Sequence, residues 1–162
     1  GVDTTPEQLA VAREHLDWHR DRFGYASSNV AFVQGDIERL DQLALPAGSF
    51  DVIVSNCVIN LVADKAQVLA EAFRVLRPGG ILQFADIAVG GEVPEAAKCD
   101  IELWTDCIAG GLSVDEWCQS IQGAGFDDLA VGLATDTCGG AAGESRARAF
   151  EVYAHTFRAV KP

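Results

Sequence analysis

The sequence predicts an α/β domain built on a mostly parallel sheet that closes on an antiparallel strand. Three observations carry this. Short apolar runs alternate with segments of helical periodicity along most of the 162 residues, the pattern of strands joined by crossover helices. Helix signals with a physical mechanism, two capping boxes and one Arg-Pro-Gly-Gly stop, sit between those runs. The final apolar run follows its predecessor through a loop instead of a helix, and a short connection of that kind joins antiparallel neighbours. The length suits one domain, residues 1–162, with a core of its own.

Taken in order, Asp3 closes a first, partial strand. Thr5-Pro6-Glu7-Gln8 reads as a helix start, with Thr5 as cap, Pro6 at the first helical position and Gln8 completing a capping box. Leu9, Ala12 and Leu16 recur at helical spacing, and Gly24 is the expected stop. Val30 to Gln34 is the next strand, followed by a loop at Gly35-Asp36-Ile37-Glu38. Phe50 to Val54 is a buried strand. Asp64 caps a helix to about Leu76, with Val68, Leu69, Ala72, Phe73 and Leu76 on one face, and Arg77-Pro78-Gly79-Gly80 ends it. Ile81 to Asp86 is a strand, and Gly90 to Gly111 has the mixed character of short helices and loops. Ser113-Val114-Asp115-Glu116 is the second capping box, opening a helix to about Gly123. Leu129 to Leu133 is a strand, Thr135 to Arg148 a small, polar, mobile loop, and Phe150 to Val160 the last strand. No internal repeat is visible.

Composition narrows the function classes. Apolar residues make up 49% and charged residues 22%, ordinary for a soluble globular protein. No run of 18 apolar residues occurs, so no membrane span is expected, and the opening residues lack the pattern of a secretory signal. The net charge of −12 argues against nucleic acid or anionic lipid as partner, since phosphate-binding surfaces need clustered Lys and Arg. The expectation is a cytoplasmic protein that handles a small molecule. Five cysteines stand at irregular spacings, at 57, 99, 107, 118 and 138. With no C-x-x-C pair, neither a zinc ribbon nor a disulfide framework is expected. The default for each thiol is a buried small hydrophobe.

Several residues stand where chemistry happens in such folds, beyond the carboxyl ends of strands. Asp3 could accept from the two ribose hydroxyls of a nucleoside cofactor, or be a solvated acid near a helix N-terminus. Asp36 and Ile37 could meet an adenine amino group and ring nitrogen, or form an ordinary Gly-Asp turn. Asn56 and Cys57 lie where the strand from Phe50 runs out, and Cys107 lies in the irregular segment after the next strand. Both thiols could therefore reach one edge of the sheet, and thiolates select soft, thiophilic ions. Cys118 lies on a helix with Trp117 and Ile121, which favours core. His15 and His19 are four apart on a helix, a possible metal pair or a solvated face, with no evident third ligand; His155 is distant. No G-x-S-x-G, P-loop or paired-His zinc motif occurs.

Asp3, Gly35-Asp36-Ile37-Glu38, Phe50-Asp51-Val52-Ile53 and Phe73-Arg74-Val75-Leu76-Arg77-Pro78-Gly79-Gly80, in this order, resemble a class I S-adenosylmethionine-dependent methyltransferase. Ser55-Asn56-Cys57-Val58-Ile59-Asn60-Leu61 with Asp64-Lys65, the run Leu103-Trp104-Thr105-Asp106-Cys107-Ile108-Ala109-Gly110-Gly111, and Thr156 to Pro162 resemble arsenite methyltransferases in particular. The resemblance implies a Rossmann-like sheet and S-adenosyl-L-methionine as cofactor. It also implies trivalent arsenic as substrate, arsenite itself or a thiol conjugate of it. It assigns Cys57 and Cys107 to arsenic, Asp3 to ribose, Asp36 with Ile37 to adenine, and the stretch around Asn56 to the methionine end. In that family a first strand, a glycine-rich loop and its helix precede the position of Gly1, as do two further cysteines. The expectation is therefore an N-terminally incomplete methyltransferase domain that self-associates. Two alternatives stay open: a non-catalytic, dimeric binding module of the same fold, and a methyltransferase for another small molecule.

Overall fold

The structure, a computed structural model, describes residues 1–90, 93–94, 98–105, 107–137, 139 and 144–162. Asp106 and Cys138 lie outside the described residues. The chain forms two compact units, Gly1–Leu45 and Pro46–Pro162.

In the first unit, β1 (Val2–Asp3) pairs in parallel with β2 (Val33–Gln34), with Val2 opposite Val33 and Asp3 opposite Gln34. Between them run helices α1 (Pro6–Glu14) and α2 (Leu16–Phe23), and a 3₁₀ helix (Ile37–Leu43) follows β2. The single helix expected from Thr5 to Gly24 is broken at His15 (φ −94°, ψ 1°), which caps α1 and opens α2. Gly24 ends α2 in the left-handed region, as expected (φ 72°). Thr5 occupies the cap position, but its side chain makes no capping bond. Its backbone N–H instead donates to Asp3 Oδ1 at 2.8 Å, so the turn is closed by the residue ahead of the expected box. The strand expected over Val30–Gln34 contracts to two residues, because its partner β1 offers only Val2 and Asp3 for pairing. Leu9 is the one buried side chain of this unit.

The second unit holds β3 (Phe50–Asn56), α3 (Lys65–Val75), β4 (Leu76–Ala88), α4 (Ile101–Thr105), α5 (Val114–Gly123), β5 (Asp127–Val131), α6 (Glu144–Ala149) and β6 (Tyr153–Val160). The sheet order is β3-β4-β6-β5. β3 and β4 are parallel from Val52 opposite Ile81 to Asn56 opposite Ala85, whereas β6 runs antiparallel to both of its neighbours. The closing strand is antiparallel, as expected, although the connection from β5 (ending at Val131) to β6 (starting at Tyr153) is long. Part of that connection is helix α6, where a polar loop was expected. An Arg148–Glu144 ion pair one turn apart supports it at 2.7 Å, and Thr135 already pairs with Ala154.

Apolar periodicity explains how the helices cover this sheet. Val68, Leu69, Ala72 and Val75 of α3 are buried, with Asp64 Oδ1 capping the helix by accepting from Gln67 N at 2.9 Å. α5 carries both bonds of the Ser113–Glu116 capping box and buries Trp117 and Ile121 completely. Trp117 packs at 5.2 Å and 5.7 Å between ring centroids from Phe84 of β4 and Phe157 of β6. These contacts fix β4 as the centre of the core, and its carboxyl end as a buried platform. Two thiols expected inside are elsewhere: Cys99 is exposed, and Cys118 is half-buried because Trp117 and Ile121 already fill the inward face of α5.

Candidate functional site

The carboxyl end of β4 organises the second unit's candidate residues. β3 runs two residues further than its apolar run predicts, through Ser55 and Asn56, and Asn56 is its last residue. The chain then turns at Cys57, whose N–H donates to Ala85 O at 2.9 Å and whose Sγ–H donates to Asn56 Oδ1 at 3.5 Å. Cys57 adopts φ +54°, the left-handed region that disfavours any residue with a Cβ. A short 3₁₀ helix, Ile59–Leu61, follows.

Within it Asn60 is 1% exposed and tied to β4 twice. Its N–H donates to Asp86 Oδ2 at 3.2 Å and its Nδ2 donates to Ile87 O at 2.7 Å. Trp117 Nε1 donates to the same Ile87 carbonyl at 3.2 Å, so the core tryptophan and the Cys57 loop share one anchor.

Cys107 reaches the same strand end by another route. Its N–H donates to Trp104 O at 2.9 Å, and the N–H groups of Ile108 and Ala109 both donate to Leu103 O, at 2.8 and 2.9 Å, closing the end of α4. Cys107 is the left-handed residue at this helix end, with φ +62°. Its side chain packs against a buried cluster that includes Ile87, Val89, Leu103 and Ile108. Leu112 then forms a parallel bridge to Ala88, and Val89 N–H donates to Leu112 O at 3.0 Å.

The two loops meet at Gly110. A Cβ there would lie 2.6 Å from Asn60 O and 3.3 Å from Lys65 Nζ, so no larger residue fits without movement. Two candidate thiols, each strained at φ, thus stand on loops bound to one strand end. Strain of this sort, about 1–2 kcal/mol per residue, persists only where surrounding structure enforces it.

Electrostatics at this end are set by burial. Asp86 is 1% exposed, and burial pushes its carboxyl above the ordinary carboxylate value, against the opposing pull of N–H donors from Ile87, Asn60 and Ile59 and of the Lys65 charge. The Cys57 thiol is pushed up as well, first by partial burial and then by the Asp86 charge. A thiol shifted in this direction favours its protonated form.

Asp3, Asp36 and Ile37 belong to the first unit. Asp3 ends β1 and Asp36 comes two residues after β2, its parallel neighbour, with Gly35 N–H donating to Asp3 O at 2.9 Å. Each carboxylate spends one oxygen on its own turn: Asp3 Oδ1 accepts from Thr5 N, and Asp36 Oδ1 from Glu38 N, both at 2.8 Å. Among the described residues the second oxygen of each accepts no hydrogen bond. His19 Nδ1 lies 2.8 Å from the His15 carbonyl oxygen. Among the described residues no group of three or more His, Cys, Asp or Glu is placed to hold a metal ion.

Two residues of the thiol platform escaped the sequence reading. Asn60 lies inside the quoted Ser55–Leu61 stretch, but nothing in its type marks it as buried. Asp86 had a usable signal, an acid closing an otherwise apolar strand, which in a buried setting marks a perturbed group.

A family profile described as "Methyltransferase domain" matches residues 1–125. The chain is 44% identical over 126 residues to the arsenite methyltransferase of Homo sapiens, covering 78% of this chain and 34% of that protein. It is 49% identical over 128 residues to the arsenite methyltransferase of Aquipseudomonas alcaligenes, covering 79% of this chain and 36% of that protein. It thus spans about a third of the length of these curated relatives. A crystal structure of an arsenic(III) S-adenosylmethionine methyltransferase from Chlamydomonas reinhardtii matches with TM-score 0.86 and 38% identity, over 100% of this chain and 54% of that one. A phosphoethanolamine N-methyltransferase from Haemonchus contortus, 19% identical with TM-score 0.76 over 43% of its chain, shares the fold alone. The sheet is thus of the Rossmann-like class I type expected, and the chain belongs to the methyltransferase-domain family.

Proposed function

We propose that this chain carries the substrate thiols and cofactor contacts of an S-adenosylmethionine-dependent methyl transfer to trivalent arsenic. The observation that carries the reading is the convergence of the Cys57 and Cys107 loops on the carboxyl end of β4, joined at Asn60 and Gly110. It supports arsenic over another small molecule, because two thiols on one rigid platform are what a thiophilic ion requires.

In this reading Cys57 and Cys107 each exchange a thiol proton for a bond to arsenic, and arsenite loses two hydroxyls as water. Arsenic keeps its lone pair. Holding it in place is the main task of the protein, since displacement at a sulfonium methyl needs position more than proton transfer. That agrees with the described surroundings of Cys57, where Asp86, the acid whose charge reaches its thiol, accepts from Asn60 and Ile87 N–H groups.

S-adenosylmethionine, when bound, supplies the electrophilic methyl group. The free carboxylate oxygens of Asp3 and Asp36 fit a nucleoside's hydroxyl and amino donors, with Ile37 offering a main-chain contact and Asn56 assigned to the methionine end. The reading extends to self-association in the cytoplasm. Its support is the outer edge of β3, which has β4 as its one neighbour among the described residues and leaves Val54 75% exposed. No described helix is long and apolar enough to cross a membrane.

Calorimetry with S-adenosylmethionine, followed by a methylation assay on arsenite, tests the reading. Saturable cofactor binding that Asp3→Ala weakens is expected. A full chain that binds arsenite but shows no heat with the cofactor would leave a non-catalytic thiol module instead. Gel filtration at a strictly monomeric size would remove self-association from the reading.

A further inference from the structure

We infer that Asn60 is the positioning residue that makes Cys57 and Cys107 act as one chelating pair; the inference rests on the arsenic reading above. Three groups of this one residue point three ways. The main-chain N–H holds Asp86, the side-chain Nδ2 holds Ile87 O, and the main-chain carbonyl abuts Gly110 of the Cys107 loop.

A purely structural explanation of Asn60 is poor. Its Oδ1 is buried and has no hydrogen-bond partner among the described residues, a costly arrangement that an apolar residue of similar size would avoid. What the amide gains is direction. Nδ2 reaches the Ile87 carbonyl, which Trp117 also holds from the core side, so the loop's position is referenced to the most buried part of the sheet. Gly110 completes the join, since any Cβ there would collide with Asn60 O.

The consequence is chemical. When arsenite, As(OH)₃, meets two thiols, two As–S bonds form, two As–O bonds break, and each thiol proton leaves with a hydroxyl as water. The first bond is intermolecular. The second is intramolecular, and its strength depends on how closely the other thiol is held, which is an effective concentration. Asn60 sets that concentration without touching arsenic.

The test is a double-mutant cycle on arsenite affinity in the full chain, with thiols lost per arsenic counted alongside. Cys107→Ser reports the affinity of a site with one thiol removed. Asn60→Ala is expected to weaken arsenite binding by about tenfold or more, and to lower the thiols consumed per arsenic from about two towards one. Combined with Cys107→Ser it should cost nothing further, because there is no second bond left to position.

Gly110→Ala should behave as Asn60→Ala does. It pushes the loops apart while leaving the Asn60 side chain in place, and it carries the test if Asn60→Ala does not fold. Equal weakening in the presence and absence of Cys107 would make Asn60 a residue of general stability and overturn the inference. So would unchanged affinity in folded Asn60→Ala and Gly110→Ala. If Cys57→Ser and Cys107→Ser themselves leave arsenite binding unaltered, the arsenic reading fails first, and those two variants alone show it.

Discussion

The two units hold their candidate residues in different ways. In Gly1–Leu45, Asp3 and Asp36 stand at the ends of two-residue strands, each fixed by one bond within its own turn, and Leu9 is the single buried side chain. In Pro46–Pro162, Cys57 and Cys107 sit on loops pinned to β4, whose Phe84 packs with Trp117 and Phe157, all three 2% exposed or less. The difference separates two ways of placing a functional group. A turn carboxylate is positioned locally and costs little to move. A thiol at a strained φ is held only as long as the core beneath it is intact.

The largest effects should come from breaking the core side of this comparison. Phe84→Ala removes a ring stacked on Phe157 at 4.9 Å and should cost about 3–5 kcal/mol in denaturant unfolding. Trp18→Ala, at a side chain 62% exposed in the first unit, should stay within about 0.5 kcal/mol. Comparable losses would erase the distinction. Hydrogen exchange gives the same contrast without mutation. Amides shared between β4 and β6 should exchange last, through global opening, whereas those of β1 and β2 should exchange through local opening. Similar protection at Val33 and Phe157 would contradict it.

Asp86 offers a pH test confined to the second unit. Burial raises its folded carboxyl above the unfolded value. The folded state therefore binds the proton more tightly, so this contribution to stability is full below the ordinary carboxylate range and is lost as pH rises through the raised folded value. Unfolding free energy should fall with rising pH across that window, and Asp86→Asn should flatten the slope. A slope unchanged by the substitution would assign the titration elsewhere. The smallest effect sharpens the comparison between helix starts. Ser113→Ala, which removes the Oγ that accepts from Glu116 N–H in a formed capping box, should cost about 1 kcal/mol. Thr5→Ala should cost almost nothing, because the Thr5 side chain caps nothing.

Those two helix starts also show what the sequence made legible. Both read as capping boxes, and only the one whose helix buries Trp117 and Ile121 is formed, because packing holds its first turn against the core. The span of α5 and the Asp64 cap were readable from residue types for the same reason. The Arg77-Pro78-Gly79-Gly80 run reads as a helix stop and α3 does end at Val75, but the strand expected from Ile81 already starts at Leu76. Pairing overrides the turn residues there: Leu76 faces Phe50, Gly79 N–H donates to Lys161 O at 2.8 Å, and Gly80 O accepts from Lys161 N–H at 2.9 Å. At the site, the strand-end position of Cys57 was legible from the apolar run before it. The left-handed backbone of both thiols was not, since cysteine carries no preference for that region. The knot of Asn60, Asp86 and Ile87 was illegible because it joins residues 26 and 27 positions apart, a pairing that no local pattern encodes.

The central claim is that one arsenic is held by Cys57 and Cys107 together. X-ray absorption at the arsenic edge, on the full chain with one equivalent of arsenite, counts the sulfur neighbours directly. Two As–S contacts are expected in the unmodified chain and one fewer in each of Cys57→Ser and Cys107→Ser. Two sulfur neighbours persisting in the double variant would place arsenic on other cysteines and contradict the account.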